Sequence, residues 1–185
     1  MVKLRTLLII FYSCVFAAGL AIAQEDDTSR LSDLLAQLAD PATEDWETVE
    51  DRIIDLWSRS GSRTADLLLQ RGRDALEDED YKAAIEHFTA LTDHAPDFAE
   101  GWNMRATAFF LIGELGLSVE DIGRALAYNP DHFGALNGLG VVLEQLGRDK
   151  DALVAYRAAA ALNPHRERLQ DAIERLSKAV DGVNI

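Results

Sequence analysis

Three prolines, Pro96, Pro130 and Pro164, stand at intervals of 34 residues in a chain of 185. Each lies in a similar phrase: DHAPDF, AYNPDHF and ALNPHR. A fixed period of this length marks a repeat array. One repeat is too small to bury its own apolar face, and stacked neighbours bury it together.

Setting each proline at position 32 starts the units at Ala65, Ala99 and Phe133. Position 4 is then Leu68, Trp102 and Leu136, and position 8 is Gly72, Ala106 and Gly140. Position 11 is Ala75, Phe109 and Leu143. Position 20 is Ala84, Ser118 and Ala152, position 24 is Phe88, Ile122 and Tyr156, and position 27 is Leu91, Ala125 and Ala159. Small residues recur at one set of places and large apolar ones at another.

Within a unit the spacing is helical. Leu136, Leu139, Val142/Leu143 and Leu146 form one stripe. A turn follows at Gly147, and a second stripe runs through Ala152, Leu153, Tyr156, Ala159 and Ala160. Asn163-Pro164 ends it, because proline cannot continue a helix. Each unit therefore reads as two antiparallel helices that cross at the small residues of positions 8 and 20. No strand pattern is convincing downstream of the leader.

These residues resemble the tetratricopeptide repeat pattern W-x2-L-G-x2-Y, A-x3-F and P. The resemblance covers residues 65–164 and is most specific in LNGLGVVLEQLGRDKDALVAYRAAAALNP. It implies an all-α fold, a right-handed solenoid of stacked helical hairpins, with units at 65–98, 99–132 and 133–166. Position 7, usually leucine, is Arg71 and Arg105 in the first two units. Such arginines can lay their stems over apolar surface and pair with carboxylates.

On either side the pattern changes. Leu31, Leu34, Leu35 and Leu38 mark a short amphipathic helix closed by Asp40-Pro41. A longer one is expected from Thr43 to Ser60, with Trp46, Val49, Ile53, Leu56 and Trp57 on one face and Gly61 as its stop. Residues 29–64 thus read as an atypical helical hairpin capping the N-terminal end. Residues 167–181, with Leu169, Ala172, Ile173, Leu176 and Val180, read as the terminal helix that a stacked array requires.

The leader has its own chemistry. Lys3 and Arg5 precede LLIIFYSCVFAAGLAIA, which carries no charge from Leu7 to Ala23 and ends in an A-x-A pattern before Gln24. Residues 1–23 read as a secretory signal peptide and 24–28 as a polar tether, which implies export, most simply to a periplasm. The alternative is an uncleaved anchor, seventeen apolar residues being at the short edge of a bilayer span. Cys14 lacks the small preceding residues of a lipidation site. Cleavage after Ala23 would remove the only cysteine and move the formal charge from −14 to −16. A surface this acidic is repelled by phosphate backbones and anionic lipid, so nucleic acid is excluded as a partner. Membrane contact is expected only through an uncleaved leader.

Chemistry is hard to find. His87, His94, His132 and His165 are too dispersed for a metal motif, and the last three read as solvated residues of the inter-repeat turns. The run Glu77 to Asp80 lacks the spacing and glycine of a calcium loop and reads as helix capping. There is no local signature of nucleophilic catalysis, so the chain reads as non-catalytic and without cofactor.

The groove is what remains. The resemblance implies that positions 2, 5, 9, 12 and 13 line a concave face. Unit one contributes Asp66, Leu69, Arg73, Leu76 and Glu77, and unit two contributes Glu100, Asn103, Thr107, Phe110 and Leu111. Unit three contributes Gly134, Asn137, Val141, Glu144 and Gln145, with Gly138 beside them. Amides next to apolar side chains suit a peptide whose backbone they can hydrogen-bond. Only Arg73 is basic in this set. The lysine-and-arginine clamp that some family members use for a C-terminal carboxylate is therefore not supported, and the expected partner is a neutral, apolar or basic protein segment.

FGALNGLG, Phe133 to Gly140, looks at first like a phosphate loop. It follows no strand and lacks the lysine and hydroxyl residue of one. Gly140 is the helix-crossing residue of its repeat. Gly134 and Gly138 have no such role and cost helix stability, which suggests a bare patch beside Asn137 for a partner's backbone.

Overall fold

The computed structural model describes residues 28–182, all of its regular structure helical. The expected signal peptide and residues 24–27 of the tether lie outside this range. Helix α1 spans 28–39. It is followed by α2 (Trp46–Trp57), α3 (Arg63–Glu77), α4 (Tyr81–His94), α5 (Ala99–Leu111), α6 (Leu115–Tyr128), α7 (Phe133–Gln145), α8 (Asp149–Leu162) and α9 (Glu167–Gly182). Among the described residues no helix is long and apolar enough to cross a membrane.

Helices α3–α4, α5–α6 and α7–α8 form three hairpins stacked in chain order, with α9 against α8. Their cores are contiguous. Ala65, Leu69, Ala84, Phe88 and Leu91 fill the first, and Trp102, Ala106, Ile122 and Ala125 fill the second together with Ala135 and Val142 of α7. Leu143, Ala152, Tyr156 and Ala159 fill the third, closed by Leu169 and Leu176 of α9.

The crossing residues explain the position 8 pattern. A Cβ on Gly72 would stand 2.2 Å from the Phe88 ring, and one on Gly140 would stand 2.4 Å from the Tyr156 ring. Where position 24 is the smaller Ile122, position 8 tolerates Ala106, and Ser118 Oγ donates to the Ala106 carbonyl at 2.9 Å. The intra-hairpin turns need a left-handed residue, supplied by Gly113 (φ 81) and Gly147 (φ 71). In the first unit that place falls to Glu79, at φ 58, a conformation costly for a residue with a Cβ. Its neighbour Asp80 caps α4, accepting from Ala83 N at 3.0 Å.

Arg105 fulfils the position 7 expectation. Its guanidinium donates to both oxygens of buried Asp121, at 2.6 and 2.8 Å, and lies 4.8 Å from the Trp102 ring centre. Arg71, by contrast, is exposed.

The N-terminal hairpin departs from expectation twice. Helix α2 starts three residues late, because Thr43 is spent on the preceding turn, its Oγ1 donating to Gln37 O at 2.7 Å. More consequential is where the hairpin lies. Its apolar residues Leu34, Leu38, Val49 and Ile53 share a core with Phe133 of α7 and Leu162 of α8. The hairpin packs on the third unit, whereas the sequence places it as a cap at the outer end of the first. Helix α2, about 18 Å long from its residue count, runs from the start of α9 across the start of α7 and delivers the chain to α3.

Candidate functional site

Four side chains fix α2 over the repeats. Glu50, buried, accepts from Arg166 at 2.6 and 3.1 Å. Trp46 stacks on His165 at 5.4 Å, and His165 Nε2 meets the Leu38 carbonyl at 3.0 Å. Trp57 stacks on His132 at 4.6 Å and contacts Phe133. Ser58 Oγ accepts from Arg73 at 2.9 Å. Two of the three histidines expected as solvated turn residues are therefore interior contacts: His132 is buried and His165 half-buried, because α2 covers them. His94 is exposed, 3.2 Å from Ser62 Oγ.

Beneath α2 runs a polar chain through three successive first helices. Arg73 of α3 donates to Glu100 Oε1 at 2.6 Å. Glu100 Oε2 takes His132 Nε2 at 3.0 Å and Asn103 Nδ2 at 3.1 Å. His132 Nδ1 accepts from Ala135 N at 3.2 Å, capping α7. Burial works against charge on Glu100, but the hydrogen bonds from His132 and Arg73, with the positive charge of Arg73, outweigh it and hold the carboxyl below its ordinary value. Glu100 belongs to the inner face, as the repeat frame implies, but lies under the surface. The partnership was legible only in part. Arg73, Glu100 and His132 hold positions 9, 2 and 34, and nothing in a linear frame says that these meet.

Of the sixteen residues that the repeat frame puts on or beside the concave face, seven come together in one cleft of about 240 Å³ between α5 and α7. Helix α5 contributes Asn103, Thr107 and Phe110, and α7 contributes Gly134, Asn137, Gly138 and Val141. A Cβ on Gly138 would come no closer than 3.8 Å to Ile122, and one on Gly134 no closer than 3.4 Å to His132. The fold therefore has room for a side chain at both places, and the helix carries two glycines beside Asn137 that packing does not demand. The others, Leu69, Leu76, Arg73 and Glu144 among them, lie outside this cleft. Leu69 is 2% exposed and belongs to the core rather than to an open wall. Leu76 is half-buried against the same core. Arg73 is committed to Glu100. Glu144 pairs with Arg175 at 2.7 Å and receives the Tyr156 hydroxyl at 3.2 Å.

A second cleft, of about 360 Å³, adjoins the first and shares Asn103, Gly134 and Asn137 with it. One wall is α2, through Glu50, Ile54 and Trp57. No sequence signal marks it, because it exists only through the docking of the hairpin.

Stacked helical hairpins with an amide-lined inner cleft define a solenoid interaction domain. The chain belongs to the tetratricopeptide repeat family, whose model matches residues 69–123 and 113–167. It is 32% identical over 161 residues to a TPR repeat-containing protein of Rhizobium etli, covering 86% of this chain and 79% of that one. It is 30% identical over 106 residues to the small glutamine-rich tetratricopeptide repeat-containing protein 2 of Mycosarcoma maydis, covering 57% of this chain and 30% of that one. Among solved structures, the first TPR domain of Spaghetti (RPAP3), bound to an HSP90 peptide, superposes with a TM-score of 0.63 at 22% identity. The match covers 65% of this chain and 95% of that one. The Yersinia enterocolitica type III secretion chaperone SycD, in complex with a peptide of the translocator YopD, superposes with a TM-score of 0.60 at 15% identity, covering 63% and 94%.

Proposed function

We propose that this protein is a non-catalytic adaptor that binds an extended or helical segment of a partner protein in the α5–α7 cleft. The observation that carries the reading is the convergence of Asn103 and Asn137 with Phe110, Val141 and two sterically unneeded glycines in one inner cleft. Amides pair with a partner's backbone, apolar side chains take its side chains, and the glycines let it approach closely.

The partner segment is neutral, apolar or basic. Structural neighbours hold peptides ending in EEVD, but here Arg73, the basic residue of the groove set, already neutralises Glu100. The leader pattern supports export to a periplasm, where the adaptor would serve envelope protein assembly. The alternative is the same module held at the membrane by an uncleaved leader.

Peptides selected from a random library on the wild-type protein test the cleft. Binding to Asn103→Ala/Phe110→Ala/Asn137→Ala should weaken by about tenfold or more, the loss of two hydrogen bonds and a buried ring. Equal binding rules the cleft out. N-terminal sequencing of the exported protein tests the leader: a start at Gln24 excludes the anchor.

A further inference from the structure

Among the described residues, two buried side-chain polar atoms lack a hydrogen-bond partner: Trp57 Nε1 and Asn163 Nδ2. Both residues line the 360 Å³ pocket beneath α2. Asn163 is 2% exposed, and its own Oδ1 already accepts from His165 N at 3.3 Å. An unpaired buried donor costs about 1–3 kcal/mol, so two at one pocket are not a neutral accident of packing. The indole of the repeat array is satisfied, Trp102 Nε1 donating to Pro96 O at 2.8 Å.

The two carboxylates of the pocket are, in contrast, used up. Both Glu50 oxygens take Arg166, and Glu100 takes Arg73, His132 and Asn103. Arg168 also lines the pocket, and it forms no ion pair among the described residues. Glu50 and Glu100 are each matched by an arginine, Arg166 and Arg73, which leaves Arg168 as the unmatched charge of the lining in an otherwise acidic protein. Ile54, Phe133, Ala159 and Leu169 make the remaining wall apolar. The volume lies within the range of small-molecule sites.

We propose that this pocket is a binding site for a small apolar carboxylate, distinct from the peptide cleft. Its apolar body fills the space between α2 and the starts of α7 and α9. Its oxygens accept from Trp57 Nε1 and Asn163 Nδ2, with Arg168 supplying the counter-charge. The ligand touches α2 on one side and the repeats on the other, so its binding holds the hairpin down.

Phenylbutyrate, phenylbutyramide and phenylbutylamine are probes with the same body and different ends. The three tryptophans, Trp46, Trp57 and Trp102, give three indole signals in proton–nitrogen correlation spectra, and Trp57→Phe identifies its own. The acid should move the Trp57 indole proton downfield to saturation, the amide should do so more weakly, and the amine should not. Trp102 should stay still. Trp57→Phe, which keeps the ring stack and removes the donor, should weaken phenylbutyrate binding by roughly tenfold or more, and Arg168→Ala should weaken it while leaving the amide unchanged. Two outcomes overturn the proposal: no shift with acid or amide, or an equal shift with the amine. A peptide selected on the α5–α7 cleft that binds equally with and without saturating phenylbutyrate confirms separate sites. Competition between them would instead make this pocket a subsite for the end of a peptide.

Discussion

His132 donates through Nε2 to Glu100 Oε2 at 3.0 Å, both side chains buried. The direction is fixed by the other ring nitrogen, which accepts from Ala135 N and so carries no proton. A neutral histidine and an arginine thus hold one carboxylate between the second and third units. The bond also fixes the plane on which Trp57 stacks, so the polar chain inside the repeats sets the seat of α2.

Glu100→Gln should therefore destabilise the fold by about 1–3 kcal/mol at neutral pH. The folded-state carboxyl is held below its ordinary value of 4.5. The stability it contributes is present in full above that value and lost as pH falls through the lower, folded-state one. Urea unfolding of wild type and variant should show a gap that is constant above pH ~5 and narrows in acid. A gap that ignores pH would mean the group is not ionised.

Two glycines about 3 Å apart along the axis of α7, Gly138 and Gly140, should answer oppositely to alanine. At Gly140 a methyl group collides with Tyr156, which cannot turn aside without releasing Glu144, so Gly140→Ala should cost about 1–3 kcal/mol. At Gly138 nothing stands in the way, and Gly138→Ala should stabilise by about 0.5–1 kcal/mol through helix propensity. Thermal melts of the pair decide it. If Gly138→Ala stabilises yet weakens selected peptides, that glycine serves binding at the expense of the helix.

The repeats were legible because each position repeats its own neighbourhood: a glycine at position 8 answers an aromatic at position 24 wherever one occurs. The three hairpins and seven of the cleft residues follow from that frame. The hairpin's seat does not. Trp46, Glu50 and Trp57 carry the spacing of a buried helical face, but their partners His132, His165 and Arg166 lie 75 or more residues away and interrupt no periodicity. A linear reading can state that a face is buried; it has no means of stating which surface buries it. Turn position therefore implied solvent for His132 and His165, and Leu69 was assigned to the groove by register alone.

Glu79 stands at φ 58 where the sister turns have glycine. Glu79→Gly should relieve the left-handed strain and stabilise the fold by about 1 kcal/mol. Because Asp80 continues to cap α4, the helix content should not change. A lower melting temperature would show that the glutamate gains more from its surroundings than the backbone loses.

The docking of α2 rests on few side chains, and two of them can be removed without entering the repeat cores. Glu50→Ala leaves Arg166, more than half exposed, free to turn to water, and Trp57→Ala removes the stack on His132. Each change alone should loosen the hairpin, and the two together should release it, since a short two-helix segment has little stability without a surface to pack on. The three repeat hairpins and α9 keep their own cores, so the helical signal should fall only by the share of α1 and α2. Trypsin should then cut at Arg52 and Arg59 many times faster than in wild type, while sites within α3–α8 remain protected at the same rate. Faster cutting throughout would instead mean that the hairpin is part of the array's global stability, and that α2 is a structural strut rather than a cover over the inner face.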